Sequence, residues 1–192
     1  ATSADNWRME ELASVASDDE KAGETIVVYL IEHGHTKIAE IGANLELSQT
    51  ARLRHNGYLN SLKKHGITPD ERYYERARFS YDSAYRAMKK LLEKNIEITA
   101  VYAISDVMAI GAIRAILDKG LRVPEDISIT GFDGSTLAEY YNPKIVSIRQ
   151  PHKDMAARSV ELLFSMIDLH KGSCHEIIPF ELTEGKSVAR ID

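Results

Sequence analysis

The fold is decided by the stretch AISDVMAIGAIRAILDKGLRVPEDISITGFDG, residues 103–134. Residues 101–104 form a short apolar run, and the apolar side chains after it recur at helical spacing, so a strand leads into a helix. Asp106 stands at the N-cap position, and Gly120 is placed to end the helix. A turn then leads into a second apolar run, residues 127–130. This order predicts one βαβ unit of a parallel sheet.

Polar residues lie directly after both predicted strands of this unit. Ser105 and Asp106 follow the first strand, and Asp133 follows the second. Because ligands of open parallel sheets bind outside the carboxyl ends of the strands, these residues are candidates for a binding cleft. For Asp106 the sequence leaves two roles open, a helix N-cap and a direct ligand contact. Asp133 is the more informative acid, since a carboxylate is costly to bury without a partner.

Strands and helices alternate along the rest of the chain as well. Ser80 stands where it can cap the helix that follows it, and Gly34 stands where the first helix ends. Repeated strand–helix units predict the α/β class, a parallel-sheet sandwich with helices on both faces. We expect helices over residues 19–32, 51–64, 81–94 and 152–169, strands over residues 37–41, 77–79, 145–150, 176–182 and 187–191, and a loop over residues 134–143.

The composition argues against several classes of site. The chain has 192 residues, of which 44% are hydrophobic and 28% charged, so it can bury a core in one or two lobes. Its single cysteine, Cys174, excludes an internal disulfide and a CxxC zinc pair. The seven histidines show no HExxH spacing, so we expect neither a metal nor a cofactor. A net charge of −5 gives no basic surface for nucleic acid.

Two further classes lack their sequence signals. No apolar stretch approaches the ~20 residues that span a bilayer, and residues 1–11 lack the pattern of a signal peptide. We therefore expect no membrane contact and a cytoplasmic location. The chain also contains no GxSxG elbow, GxGxxG fingerprint or GxxxxGKS/T loop, so we expect no catalytic residues and no enzyme activity.

Six short motifs follow one another along the chain: EHGH at 32–35, RHNG at 54–57, SD at 105–106, GLRVPEDIS at 120–128, GFD at 131–133 and QP at 150–151. In this order they resemble the motifs of bacterial repressors of the lactose, galactose and purine repressor type. The resemblance extends from about residue 18 to the C-terminus, and it implies a sensor core like the periplasmic binding proteins, mainly its C-terminal lobe. Such a core closes on a small-molecule effector, usually a sugar or sugar derivative, and forms a homodimer. Operator DNA is bound by a separate headpiece, which is not found in this chain.

The resemblance implies that four side chains face the ligand: Arg54, Phe79, Ser105 and Asp133. An arginine fork and a carboxylate suit neighbouring sugar hydroxyls, and an aromatic ring suits the C–H face of a sugar. Asp106 is kept as a fifth candidate. Without the resemblance, Arg54 would be interpreted as a solvated surface charge and Phe79 as a core residue.

The resemblance also implies a division of the chain and a subunit contact. Residues 1–17 are unmatched, residues 18–148 and 176–192 correspond to the C-terminal lobe, and residues 149–175 correspond to a crossover and helix of the N-terminal lobe. The apolar stripe of that helix is expected to be exposed where the rest of its lobe is missing. Ile110 and Tyr141 are expected near the contact between subunits.

Three functions are compared. The favoured one is the effector-binding core of a sugar-responsive repressor, in which a ligand with different affinity for two lobe geometries changes operator binding. The alternative is a periplasmic-type sugar-binding protein for transport, which shares the fold but requires a secretory signal. An α/β enzyme is disfavoured by the missing motifs.

Overall fold

The structure is a computed structural model that describes residues 13–169 and 174–191. The chain divides into two compact units. The smaller unit lies within residues 1–18 and 150–180, and the larger unit lies within residues 19–149 and 181–192. The helices are α1 (Asp19–Glu32), α2 (Gln49–Lys64), α3 (Tyr81–Glu93), α4 (Asp106–Asp118), α5 (Thr136–Tyr140) and α6 (His152–Leu169). The strands are β1 (Ser14–Ala16), β2 (Ile38–Gly42), β3 (Tyr74–Arg76), β4 (Ala100–Ala103), β5 (Ser128–Thr130), β6 (Ser147–Arg149), β7 (His175–Ile177) and β8 (Glu181–Thr183).

The larger unit is built on a parallel sheet with the strand order β3-β2-β4-β5. A parallel bridge between Thr130 and Val146 brings the chain just before β6 alongside the end of β5, and β6 pairs with β8 in an antiparallel ladder. Every residue of β2 and β4 is buried. Because successive side chains of a strand point to opposite faces, both faces of the sheet must be covered. Helix α1 packs against α2, and α3 against α4, which gives the predicted α/β sandwich.

Four predictions of local structure are wrong, and each has a physical reason. The strand expected at residues 77–79 is β3, three residues earlier, because Tyr74 and Glu75 pair with the central strand. The N-cap of α4 is Ser105, whose hydroxyl accepts a hydrogen bond from Met108 N, so Asp106 is the first helical residue instead of the cap. Ser135 caps a short helix, α5, inside the expected loop. The last two expected strands are replaced by β7, β8 and an extended segment without a strand assignment.

The extended C-terminal segment is fastened to the larger unit by polar contacts. The Ser187 hydroxyl donates to Ile129 O, and Ala189 N donates to the Ser128 hydroxyl. His35 is fully buried beside this segment, with Nε2 at 3.1 Å from Ala189 O and Nδ1 at 3.1 Å from the Thr99 hydroxyl. The segment is therefore held through both backbone and side-chain groups.

The contacts of His35 predict a pH dependence of stability. Burial lowers the pKa of the His35 imidazole, while the hydrogen bond to Ala189 O opposes that shift. Below pH ~6.5, the unfolded chain binds a proton that the folded chain excludes, so the free energy of unfolding falls. We expect the difference in Tm between the wild type and His35→Gln to narrow from pH 8 to pH 5.5, measured by thermal unfolding. A Tm difference that stays constant from pH 8 to pH 5.5 would contradict a lowered pKa of His35 in the folded chain.

The smaller unit pairs β1 with β7 in parallel and packs α6 against β1. On α6, the Arg158 guanidinium contacts Glu176, with Nη2 at 2.8 Å from Oε1. Four apolar side chains of α6 are more than half exposed, as expected from the sequence: Val160, Leu163, Phe164 and Ile167. Within the described residues, no helix combines the length and the apolar character needed to cross a bilayer.

Candidate ligand-binding site

Arg54 is positioned by a close crossing of α1 and α2. A Cβ atom on Gly57 would lie 2.3 Å from Glu20 O, and one on Gly23 would lie 2.8 Å from Arg54 O. Any side chain at either glycine would therefore force the two helices apart. This contact fixes the backbone of α2 at Arg54, on the second turn of the helix. The guanidinium then lies near the carboxyl ends of β4 and β5.

The guanidinium of Arg54 is held on several sides. Its Nε donates to Asp19 Oδ1 at 2.8 Å, and its Nη1 donates to Ile104 O at 2.6 Å. Its Cζ lies 3.5 Å from the centroid of the Phe132 ring, which is a cation–π contact. Arg54 is only 4% exposed, so the Asp19 carboxylate is the partner that makes this buried charge tolerable. The guanidinium is therefore held in place by contacts within the protein.

Asp133 lies next to this guanidinium and is more open. Its Oδ1 is 3.6 Å from Arg54 Nη1, and its side chain is 32% exposed. Among the described residues it is the one non-glycine residue with a positive φ, at 109°. Such a backbone costs on the order of 1–3 kcal/mol and persists where the surroundings or the function require it. The structure therefore brings Arg54 and Asp133 together, with the carboxylate on the solvent side.

Asp106 supports the loop that carries Asp133. Its Oδ1 accepts from the Ser147 hydroxyl at 2.6 Å, and its Oδ2 accepts from Ser135 N at 2.6 Å. Its own N–H donates to Phe132 O at 2.7 Å. Burial raises the pKa of the Asp106 carboxyl, and the hydrogen bonds from Ser147 and Ser135 oppose that shift. Both carboxylate oxygens are thus engaged within the protein. One binds Ser135, two residues after Asp133, and the other binds Ser147 on β6.

Two other predicted ligand residues lie at the same edge of the sheet. Ser105 is buried and follows β4, where its hydroxyl caps α4. Phe79 follows β3 and is 49% exposed. Since β2 separates β3 from β4, Phe79 lies two strand positions away from Ser105.

Sequence reasoning missed three residues of this arrangement. Asp19 precedes Arg54 by 35 residues, and nothing in the spacing connects the two. Phe132 belongs to the GFD motif, but its ring faces the Arg54 guanidinium, a contact that no local pattern indicates. Ser147 lies in a buried strand and bonds to Asp106 across 41 residues. Within the described part of the chain, no group of three or more His, Cys, Asp or Glu side chains could hold a metal ion.

The residues predicted for a subunit contact share one surface. Ile110 and Tyr141 both line a shallow groove of about 410 Å³ between α3, α4 and the segment after α5. Both are partly exposed. The remaining lining residues are Tyr81, Asp82, Tyr85, Gly111 and Arg114.

The sequence matches the family described as "Periplasmic binding protein-like domain" over residues 27–188. It is 41% identical over 179 residues to the transcriptional regulator MalR of Clostridium butyricum, covering 93% of this chain and 53% of that protein. It is 35% identical over 173 residues to the transcriptional repressor CytR of Escherichia coli K12, covering 90% and 50%. The chain thus spans about half the length of the curated relatives it matches.

Solved structures with this fold include ligand complexes. The structure is similar to a transcriptional regulator CelR–cellobiose complex, with a TM-score of 0.88 and 32% identity, over 93% of this chain and 54% of that one. It is also similar to a LacI-family transcriptional regulator from Enterococcus faecium with bound ribose, with a TM-score of 0.86 and 27% identity, over 94% and 67%. In both comparisons the likeness extends over nearly the whole of this chain.

Proposed function

Since the chain belongs to the family of periplasmic binding protein-like domains and is homologous to LacI-type repressors, we propose that it forms the effector-binding core of a regulator that senses a sugar or sugar derivative. One observation carries the proposal: a clamped, buried Arg54 guanidinium lies 3.6 Å from the partly exposed carboxylate of Asp133, which has a strained backbone. Strain of this kind is typical of binding sites.

The two side chains offer complementary groups to a polyol. Asp133 can accept hydrogen bonds from two neighbouring hydroxyls, and such charge-assisted bonds are among the stronger ones. Arg54 already uses Nε and Nη1 within the protein, so we assign its Nη2 group to a ligand oxygen. Ser105 retains a hydroxyl proton to donate, and Phe79 supplies an apolar wall. We assign Asp106 to the support of the Asp133 loop, because both of its oxygens are engaged.

Similarity to repressors favours a regulator over a transport protein with the same fold. We propose that the larger unit is the C-terminal lobe of the core and the smaller unit part of the other lobe. A homodimer would form through the groove lined by Ile110 and Tyr141. The relatives are about twice as long as this chain, which leaves room for a DNA-binding headpiece in the full protein. A regulator of this type acts on operator DNA in the cytoplasm.

Titration calorimetry with a panel of sugars tests the proposal. The panel contains cellobiose, ribose, maltose and their phosphorylated forms at millimolar concentration, so that weak complexes are detected. We expect at least one sugar to bind with a saturable heat and to be recovered unchanged, as shown by chromatography after long incubation. Chemical conversion of the bound sugar, or no saturable binding by any member, would overturn the proposal.

A further inference from the structure

The larger unit contains a second groove, formed by α2 and the segment that leads into β3. Its volume is about 560 Å³, within the range of small-molecule sites. None of the residues that line it belongs to the candidate site described above. The lining residues are Leu45, His55, Tyr58, Leu59, Lys63, Pro69, Asp70, Glu71 and Tyr74.

The buried carboxylate of Glu40 contacts His55, one of the residues that line this groove. Glu40, on the central strand β2, is 0% exposed, and its Oε2 lies 2.6 Å from His55 Nδ1. Its other oxygen, Oε1, is buried and has no hydrogen-bond partner within the described residues. Burial raises the pKa of the Glu40 carboxyl, and the contact with His55 opposes that shift. Two apolar side chains would hold α2 against β2 at a lower cost in desolvation free energy. Stability alone therefore does not explain the Glu40–His55 pair.

The contact with Glu40 fixes the orientation of the His55 imidazole. We assign the proton on Nδ1 to the contact with Glu40, which leaves Nε2 as a hydrogen-bond acceptor. The Tyr58 and Tyr74 hydroxyls are already engaged, because they donate to Ile38 O and Ala43 O. Their rings lie 6.1 Å and 5.1 Å from the His55 ring. The surroundings of His55 in the groove are therefore mainly aromatic and aliphatic, although Lys63, Asp70 and Glu71 also line it.

We propose that this groove is a second binding site and that it takes a small neutral aromatic molecule with one hydroxyl or N–H donor, of the phenol or indole class. The donor bonds to His55 Nε2, and the ring packs against Leu45, Leu59 and the edge of Tyr74. A sugar would find too few polar partners at this wall. The groove is lined by two acidic side chains, Asp70 and Glu71, against one lysine, Lys63, which disfavours an anionic ligand. This inference does not depend on the proposed sugar site.

The test compares p-cresol with toluene, which has the same ring and methyl group but no donor. Both are titrated into the wild-type chain and followed by amide chemical shifts in NMR. We expect saturable shifts at Leu45, Leu59 and Lys63, with p-cresol binding about 5- to 10-fold more tightly than toluene, the effect of one net hydrogen bond. In His55→Phe, the two probes are expected to bind equally.

Three results would overturn the proposal: equal affinity of the two probes for the wild type, p-cresol shifts that do not saturate, and shifts centred on Asp133 instead of on Leu59. The comparison of the two probes on the wild type needs no variant, so it remains decisive where His55→Phe does not fold. His55→Gln, which retains an acceptor, should keep part of the preference for p-cresol.

Discussion

Replacing Asp133 by alanine is expected to weaken the binding of the preferred sugar by about 10- to 150-fold, which corresponds to the loss of one or two charge-assisted hydrogen bonds. The folded state should lose little, because Arg54 keeps its contacts with Asp19 and Ile104. Titration calorimetry of the two proteins with the same sugar measures the change. The control is Glu125→Ala, which removes an exposed carboxylate in the turn before β5. An equal loss of affinity in both variants would contradict the assignment.

The strained backbone of Asp133 allows a sharper form of this prediction. Glycine adopts a φ near 109° without a Cβ penalty, so Asp133→Gly should relieve strain that Asp133→Ala retains. We expect the glycine variant to unfold at a higher temperature than the alanine variant while binding the sugar as weakly. Equal Tm values of the two variants would show that a side chain at residue 133 adds no backbone strain.

Replacing Asp106 by alanine is expected to lower the free energy of unfolding by about 2–4 kcal/mol. The change leaves the Ser147 hydroxyl and Ser135 N without their acceptor. Because the pKa of Asp106 is raised by burial, part of this loss is offset by removing a buried charge. Urea unfolding followed by circular dichroism measures the change.

Two further variants test whether the loss of stability is specific to the Asp106 carboxylate. Asp106→Asn keeps the shape and the acceptor for Ser135 N, while its amide NH2 faces the Ser147 hydroxyl, which must turn to accept, so we expect an intermediate loss. The exposed control Glu125→Ala should change the free energy of unfolding by less than ~0.5 kcal/mol. Since Asp106 supports the loop of Asp133, Asp106→Asn should also weaken sugar binding. Unchanged sugar affinity in a folded Asp106→Asn variant would show that Asp106 does not position Asp133 for binding.

Periodicity in the sequence predicted the larger elements well. The bounds of α1 and α6 are confirmed, and so are the cap at Ser80 and the helix end at Gly120, which has a φ of 83°. These features are local, since a helix stripe, a capping hydroxyl and a glycine in the left-handed region are each set by a few neighbouring residues.

Features that depend on distant partners could not be predicted in this way. The position of β3 is set by its pairing with β2, which the sequence of β3 alone does not reveal. Ser105 and Asp106 are both good N-caps, and the choice between them is made by Ser147 and Ser135, which bind the Asp106 carboxylate. The role of Arg54 came only from a resemblance, because the helix surface around it is polar.

A crystal structure with the sugar that binds best in the panel tests directly whether Arg54 and Asp133 form the ligand site. We expect hydroxyl groups of the sugar to lie within hydrogen-bond distance of both the Asp133 carboxylate and Arg54 Nη2, with the guanidinium still bound to Asp19. A sugar bound elsewhere on the chain, or one that contacts neither side chain, would contradict this expectation.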